Sequence, residues 1–445
     1  MYEPRFESLA RHPLPTWFAD AKLGLFSHWT IGSVPAYAPV GKDPFTLARE
    51  EGEAKAFSHT PYAEWYWNSI NIPGSPAAAH HAEVWGNCDY SMFVETFFAA
   101  SAGWDPRRWQ SVMAASGAKY CVAVTKHHDG VLYWPSDTPN PHRGPAWSSP
   151  RDLIGDCAAA ARAAGLRFGV YYSGGIDWTF QGLGIDGWAS LFRAIPQDDL
   201  YHEYADGHWR ELIRRYQPDV LWNDIGYPGF GDGAAGVMAD FYNGNPEGVV
   251  NDRFDLLGVL RGSAHADFRT PEYTTESDDA QRYFEVCRGI GTSFGYTQYE
   301  NDSTYLPVPE LVEMFVNIVA DGGNLLLNFG AMPSGEIPWE QQLRILALGQ
   351  WLSVNGVGIY GSRPDDPSRL VTDEGIPVRC TRGADGARYA FVCGRPERAT
   401  VAIDGLPAGE VHLLGYAGRL RRDGDRVVLP TRPDSTPVFG LRIGD

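Results

Sequence analysis

Two acidic residues in the middle of the chain have the type and position that bond hydrolysis requires. Asp224 ends an apolar run that begins at Val220, and Glu272 lies in the loop region after the next such run. A charged side chain at the end of a buried strand is either paired or chemically active, because burying an unpaired charge is costly. Two carboxyl groups can cleave a glycosidic bond, one attacking the anomeric carbon while the other protonates the leaving oxygen. Asp224 could instead cap the following loop, and Glu272 could be a solvated loop residue.

Three histidines form a second group of polar residues. His28 follows the first apolar run, and His127 and His128 follow the second, next to Asp129. Such residues could ligate a divalent metal or form hydrogen bonds with the hydroxyl groups of a sugar. Neighbouring side chains on an extended chain point to opposite sides, so His127 and His128 are poorly placed to share one ion. We therefore predict sugar binding without a metal or another cofactor, although one of these two histidines could be a core residue.

The apolar runs predict the elements that position these residues. Helical stretches separate many of the runs, and each run is continuously apolar, which is typical of a parallel sheet covered on both faces. At this length the α/β pattern predicts a (β/α)8-like barrel over residues 1–357, with its active site at the carboxyl ends of the strands. The predicted strands are 23–29, 120–126, 166–172, 220–224, 249–253, 292–297 and 324–329.

The end of the chain has a different pattern. Short β-like runs alternate there with turn signals such as Asp385-Gly386 and Asp423-Gly424. This pattern predicts a small antiparallel β-sandwich over residues 358–445. Its predicted strands are 378–380, 389–393, 400–403, 411–416, 426–429 and 438–443.

Composition restricts the classes of partner. The 445 residues carry a formal net charge of −18, which repels nucleic acid and anionic membranes and favours a neutral substrate. The six cysteines contain no C-x-x-C pair, and we see neither a signal peptide nor a transmembrane segment. We therefore predict a cytoplasmic protein that binds neither nucleic acid nor membrane. The oligomeric state does not follow from the sequence.

Several motifs, taken in order along the chain, resemble one family. They are KLGLFSHW (22–29), YAEWY (62–66), KHHDG (126–130), FGVYYS (168–173), PDVLWND (218–224) and GGNLLLN (322–328). The ordered set resembles the α-L-fucosidase family of glycoside hydrolases, in its retaining, bacterial type. The resemblance covers most of the predicted barrel and leaves the insert 182–195 unaligned.

The resemblance implies an exo-acting enzyme that hydrolyses terminal α-L-fucosides by double displacement through a covalent fucosyl-enzyme intermediate. Its substrate would be a fucosylated oligosaccharide or another fucoside. Asp224 would be the nucleophile and Glu272 the acid/base, with Glu285 as the competing candidate for the acid. The residues implied in sugar binding are His28, Glu64, Trp65, His127, His128, Tyr171, Trp222, Ile225, Arg253 and Phe294. A metal-dependent barrel hydrolase and a non-catalytic carbohydrate-binding protein are the alternatives.

Overall fold

A parallel sheet of seven strands forms the centre of the larger part of the molecule. The computed structural model describes residues 1–228, 233–274, 283–430 and 437–444. The strands lie in the order β5-β4-β3-β2-β1-β7-β6, and nearly all their residues are buried, as continuous apolar runs predict. They are β1 (Leu23–His28), β2 (Tyr120–Lys126), β3 (Arg167–Ser173), β4 (Val220–Asp224), β5 (Val249–Val250), β6 (Glu285–Gly289) and β7 (Asn324–Gly330).

The gap between the two edge strands β5 and β6 is filled by the segment 268–272. This segment pairs in parallel with both edges, through Asn251 and Phe268 on one side and through Glu272 and Cys287 on the other. These are isolated pairs rather than a continuous ladder. We call this segment the seam, since it closes the sheet into a ring. The (β/α)8-like barrel predicted from the sequence is thus confirmed, with the seam in the place of its eighth strand.

Helices surround the ring, and several begin where the sequence signals them. Asp105 caps one helix by accepting a hydrogen bond from the N–H of Arg107, with Pro106 in the first turn. No helix within the described ranges is both long enough and apolar enough to cross a membrane. The helices of the described ranges are α1 (Phe6–Leu9), α2 (Thr16–Ala21), α3 (Pro44–Glu51), α4 (Glu53–Ser58), α5 (Tyr66–Ile70), α6 (Pro76–Trp85), α7 (Ser91–Ser101), α8 (Pro106–Ser116), α9 (Leu153–Ala163), α10 (Trp188–Arg193), α11 (Asp199–Tyr216), α12 (Gly233–Gly244), α13 (Leu256–Arg261), α14 (Val308–Ala320) and α15 (Trp339–Asn355).

The strand predicted at 292–297 is wrong, because strand β6 lies at Glu285–Gly289 instead. In the predicted segment the side chain of Glu300 accepts the backbone N–H of Thr292 and of Ser293, at 2.6 and 3.2 Å. These donors are therefore not free to join a strand ladder. Strand β5 is also shorter than predicted, since a 3₁₀ helix takes over at Asp252–Phe254.

Two antiparallel sheets follow the barrel, as predicted. One has the order β12-β15-β10-β9-β8 and the other β11-β14-β13, and a separate apolar core lies between their strands. Residues 431–436 and 445 of the predicted domain 358–445 lie outside the described residues, and the domain boundary remains a prediction. The strands are β8 (Arg363–Val371), β9 (Pro377–Arg382), β10 (Arg388–Val392), β11 (Thr400–Ala402), β12 (Glu410–Leu413), β13 (Arg422–Asp423), β14 (Arg426–Val428) and β15 (Phe439–Gly444).

Candidate active site

A cavity of about 180 Å³ lies at the carboxyl ends of the barrel strands. We call it the inner cavity, and every residue that the sequence nominated for catalysis or sugar binding lines it, except the competing acid Glu285. These residues are His28, Glu64, Trp65, His127, His128, Tyr171, Trp222, Asp224, Ile225, Arg253, Glu272 and Phe294. The structure therefore brings together side chains that lie more than 260 positions apart in the sequence.

Asp224 is held at the end of β4 by a ladder and by its side-chain partners. Its backbone pairs with Ser173 of β3. One carboxylate oxygen accepts a hydrogen bond from the Tyr171 hydroxyl at 2.8 Å, and the other accepts one from Arg253 at 2.9 Å. Burial alone would raise the pKa of Asp224, but the charge of Arg253, the nearby His128 and these hydrogen bonds hold that pKa below its ordinary value. Asp224 is consequently ionised at neutral pH, as a nucleophile must be.

Glu272 stands on the seam and shares a partner with Asp224. Its Oε2 atom accepts a hydrogen bond from Nη2 of Arg253 at 2.9 Å, while Nη1 of the same guanidinium binds Asp224. The other oxygen, Oε1, accepts a hydrogen bond from the Tyr62 hydroxyl. One guanidinium therefore holds the two carboxylates side by side, and the planar fork of arginine suits this task.

The residues directly after both carboxylates have an unusual backbone. Ile225 has a φ of 57° and Tyr273 a φ of 51°, in the left-handed region. For a β-branched residue such as isoleucine this conformation is strained, and strain of this kind concentrates at functional sites. The chain thus turns sharply immediately after each carboxylate.

Two of the three histidine rings are held in place by a hydrogen bond at Nδ1. Nδ1 of His28 lies 2.6 Å from Oδ1 of Asn328, and Nδ1 of His128 lies 2.6 Å from the Ser173 hydroxyl. Burial lowers the pKa of His28 to about 4 and that of His128 to about 3. Both rings are therefore neutral at pH 7.

His127 differs because one ring nitrogen lacks a partner. Its ring stacks on Tyr171 with centroids 5.7 Å apart, and its buried Nδ1 has no hydrogen-bond partner among the described residues. Burial, followed by the neighbouring His128, lowers the pKa of His127 well below its ordinary value. A buried ring nitrogen without a partner is costly, and a ligand hydroxyl within reach would satisfy it.

Glu64 brings a neutral acid into the cavity. Its side chain is buried, and its Oε2 atom accepts the backbone N–H of Gly295 at 2.7 Å. Burial raises the pKa of Glu64 to about 8, so the group carries a proton at neutral pH and can donate to a ligand.

Aromatic side chains form the apolar part of the wall. The ring of Phe26 lies 5.2 Å from Trp222 and 6.4 Å from Phe294, measured between centroids. The guanidinium of Arg253 lies over the ring of Trp222 at 4.7 Å. Trp65 meets His128 edge to face at 5.1 Å. The cavity therefore combines polar groups with flat apolar faces, as sugar binding requires.

Glu285, the competing acid, lies inside the barrel and does not line the inner cavity. It is 0% exposed on β6 and accepts hydrogen bonds from the Tyr120 hydroxyl and, at 3.0 Å, from Nε1 of Trp222. Burial raises the pKa of Glu285 to about 7. Glu285 therefore contacts the inner cavity only indirectly, through its hydrogen bond with the cavity residue Trp222.

The structure adds residues that the sequence did not nominate. Tyr62 donates a hydrogen bond to Glu272, whereas the motif YAEWY predicted a role only for Glu64 and Trp65. Asn328 supports His28 from the end of β7 and belongs to the motif GGNLLLN. Polar residues at strand ends were the signal that could have identified Asn328.

The described residues contain one group of three potential metal ligands that lie within 4.8 Å of one another, namely His12, His265 and Asp267. None of the three lines the inner cavity. Both ring nitrogens of His12 are engaged, with Asp267 at 3.0 Å and with the carbonyl of Pro246 at 3.1 Å. Hydrogen bonding therefore accounts for this group, and the absence of a metal in the function stays a prediction.

A second cavity of about 540 Å³ adjoins the first. We call it the outer cavity. It shares Asp224, Arg253 and Glu272 with the inner cavity, so the two spaces meet at the carboxylate pair. Paired carboxylates beside an aromatic-walled cavity in a parallel barrel define a glycoside hydrolase of the barrel class.

The comparisons with known proteins agree with this class. The sequence model of the α-L-fucosidase family matches residues 1–357. The tissue α-L-fucosidase of Mus musculus is 30% identical over 98% of this chain and 92% of its own. The crystal structure of Thermotoga maritima α-fucosidase in complex with a mechanism-based inhibitor is 37% identical, with a TM-score of 0.86 over 100% of both chains. The complex of that enzyme with fucose is 36% identical, with the same TM-score and coverage. The chain belongs to the α-L-fucosidase family.

Proposed function

We propose that this member of the α-L-fucosidase family hydrolyses terminal α-L-fucosides with retention, using Asp224 as the nucleophile and Glu272 as the acid/base. The observation that carries the proposal is the single guanidinium of Arg253, which places both carboxylates at the junction of the two cavities. Retaining glycosidases need two carboxyl groups about 5–5.5 Å apart, too close to admit a water between them.

In the first step Asp224 attacks the anomeric carbon, and the bond to the leaving oxygen breaks as Glu272 transfers its proton to that oxygen. The product is a fucosyl ester of Asp224. In the second step Glu272 removes a proton from water, which attacks the same carbon and releases the carboxylate of Asp224. Two inversions restore the original configuration.

The Tyr62 and Arg253 contacts occupy both oxygens of Glu272 in this structure. Glu272 therefore has to take up a proton from solvent before the first step, and the oxygen that carries this proton has to turn toward the leaving group when substrate binds. Arg253 can stay with Asp224 meanwhile and balance its charge. Catalytic hydrogen bonds commonly reach their working geometry only in the complex with substrate.

Sugar recognition follows from the wall of the inner cavity. His28, His127, His128 and Glu64 offer neutral hydrogen-bonding groups to the ring hydroxyls, and Trp65 adds an apolar face. Trp222, Ile225 and Phe294 form an apolar surface for the C6 methyl group of fucose. A sugar with a hydroxyl at C6 would leave that group unpaired there, and its binding would be weaker.

The partner of the site is a fucosylated oligosaccharide or another fucoside. We keep a cytoplasmic location and a bacterial origin as predictions. All six cysteines carry free thiols, which a reducing compartment maintains.

The test is hydrolysis of 4-nitrophenyl α-L-fucoside in the presence of EDTA, with the anomer released first identified by NMR. We expect turnover and initial release of α-L-fucose. Asp224→Asn should abolish turnover, while Asp240→Asn, a change at an exposed surface residue, should not. Loss of wild-type activity with EDTA would favour the metal-dependent hydrolase, and fucose binding without any turnover would favour a carbohydrate-binding protein.

A further inference from the structure

We propose that the outer cavity binds the leaving group of the substrate and selects uncharged groups that present a flat apolar face. The insert 182–195, which the family resemblance left unaligned, contributes Trp188, Leu191, Phe192 and Ile195 to its wall. This inference rests on the proposed function and specifies its substrate class.

The position of the outer cavity follows from the direction of the reaction. The group that Glu272 protonates must lie next to Glu272 and outside the space that holds the fucosyl ring. The outer cavity meets this condition, because Glu272 and its neighbours Thr270 and Pro271 line it. At about 540 Å³ it is three times the size of the inner cavity, and it has room for a group larger than one ring.

Its wall is built from apolar side chains that are exposed in the free protein. Phe192 on helix α10 is 58% exposed and Leu257 on helix α13 is 51% exposed, and both line this cavity but not the inner one. Trp188, which is 42% exposed, stands where the two cavities join. Large apolar side chains gathered around a cavity mark a binding surface, whereas singly scattered ones need no explanation.

The insert that carries Phe192 and Trp188 is anchored to the inner site. The buried Asn68 side chain accepts the N–H of Ile185 at 2.7 Å and donates to its carbonyl at 3.0 Å. The backbone N–H of Trp188 donates to the side chain of Glu53. Asn68 lies on helix α5, directly after Glu64 and Trp65. The apolar wall is therefore fixed relative to the sugar site rather than free in solution.

The charges around the outer cavity exclude anionic leaving groups. Both arginines of its described lining are already paired, Arg253 with the two carboxylates and Arg269 with Asp252 at 2.7 Å. Asp255 adds a further negative charge. No described lining residue thus offers an unpaired cation for a sulfate, phosphate or carboxylate. The outer cavity can therefore bind a leaving group through apolar contact, either with an aromatic ring or with the C–H face of a neutral sugar.

The test compares substrates with and without a leaving group that can reach this wall. α-L-Fucosyl fluoride has a leaving group of one atom, whereas phenyl α-L-fucoside and a fucosyl-galactose disaccharide extend into the outer cavity. For Phe192→Ala and Leu257→Ala we expect kcat/KM for the two larger substrates, divided by kcat/KM for the fluoride, to fall by about 5-fold or more. Trp339→Ala, which removes an exposed aromatic residue of helix α15 outside both cavities, should leave this ratio at its wild-type value.

The outcomes separate this inference from the proposed function. A fall of the ratio for both larger substrates supports an apolar platform for either kind of ring, and a fall for the phenyl fucoside alone supports the proposal with an aromatic occupant. Ratios equal to wild type in both variants, with fluoride turnover retained, would overturn the inference. A wild-type chain that does not hydrolyse fucosyl fluoride would overturn the proposed function instead.

Discussion

The barrel places acidic side chains in two regions with opposite properties. At the carboxyl ends of the strands, Asp224 and Glu272 face open cavities and share the charge of Arg253. Inside the barrel, Glu285 is enclosed and its described hydrogen-bond partners are the neutral Tyr120 and Trp222. The pKa of Asp224 is lowered, while burial raises that of Glu285 to about 7. In this protein, a carboxyl group is therefore suited to catalysis when it lines a cavity that a substrate can enter and when a cation lies next to it.

The largest expected effect comes from removing the nucleophile. Asp224→Gly should lower kcat for 4-nitrophenyl α-L-fucoside by about 10³-fold or more, because no other group can form the ester. Azide should restore turnover by attacking from the vacated side, giving β-L-fucosyl azide, which NMR identifies. Retention of more than a few per cent of wild-type activity would contradict the role of Asp224.

The second effect concerns the acid and depends on the leaving group. Glu272→Ala should slow phenyl α-L-fucoside by about 10²–10⁴-fold, and 4-nitrophenyl α-L-fucoside much less, because an acidic phenol departs without help. Azide should accelerate this variant on the 4-nitrophenyl substrate and yield α-L-fucosyl azide. If Glu285→Ala gave this pattern and Glu272→Ala did not, the acid would be the enclosed Glu285 rather than Glu272 at the cavity.

A smaller effect is expected from Glu285→Gln, which keeps the shape of the side chain. The amide has one oxygen where the carboxyl group has two, so its NH2 group must face either Tyr120 or Trp222, and the hydrogen bonding that supports Trp222 is rearranged. We expect kcat/KM to fall by less than about 10-fold and the free energy of unfolding by about 1–3 kcal/mol. Steady-state kinetics and denaturant titration measure the two quantities, and a loss comparable with that of Glu272→Ala would make Glu285 more than a positioning residue.

The smallest effect is a pH dependence of stability. The pKa of Glu285 is raised in the folded state, so the stability that its proton contributes is complete below pH 4.5 and is lost as pH rises through about 7. The variant Glu285→Gln does not lose stability in this way, because an amide does not titrate. The difference in free energy of unfolding between wild type and variant should therefore shift toward the variant between pH 5 and 8, by on the order of 1 kcal/mol. Denaturant titrations at both pH values measure this difference, and equal differences would show that Glu285 does not titrate there.

Much of the fold was predictable because the strands are continuously apolar. β2 and β4 begin and end at the predicted residues, since buried runs of this kind have few alternatives. β6 was missed because its sequence, EVCRG, contains two charged residues and a glycine. Burial raises the pKa of one of them, Glu285, to about 7, and a sequence pattern does not reveal that. β8, which contains two prolines and several charges, was missed for a related reason.

In the site, features that depend on neighbouring residues were predictable, whereas contacts between residues far apart in the sequence were not. Asp224 could be nominated as a catalytic candidate from its place at a strand end, and the structure places it in the inner cavity. Tyr62 could not be connected with Glu272, because 210 positions separate the two and only the closed ring brings them together. The position of the insert 182–195 beside the site was equally unpredictable, since its contacts with Asn68 and Glu53 depend on the tertiary fold.

The seam has a consequence for how this enzyme can change over evolution. Asp224 belongs to a strand whose ladder with β3 is continuous, and a shift by one residue would turn every side chain of that strand to the other face. Glu272 stands on a segment joined to its neighbours by isolated pairs. Insertions and deletions there disrupt fewer ladder hydrogen bonds, so under the roles proposed above the acid/base at Glu272 can change position at lower cost than the nucleophile at Asp224.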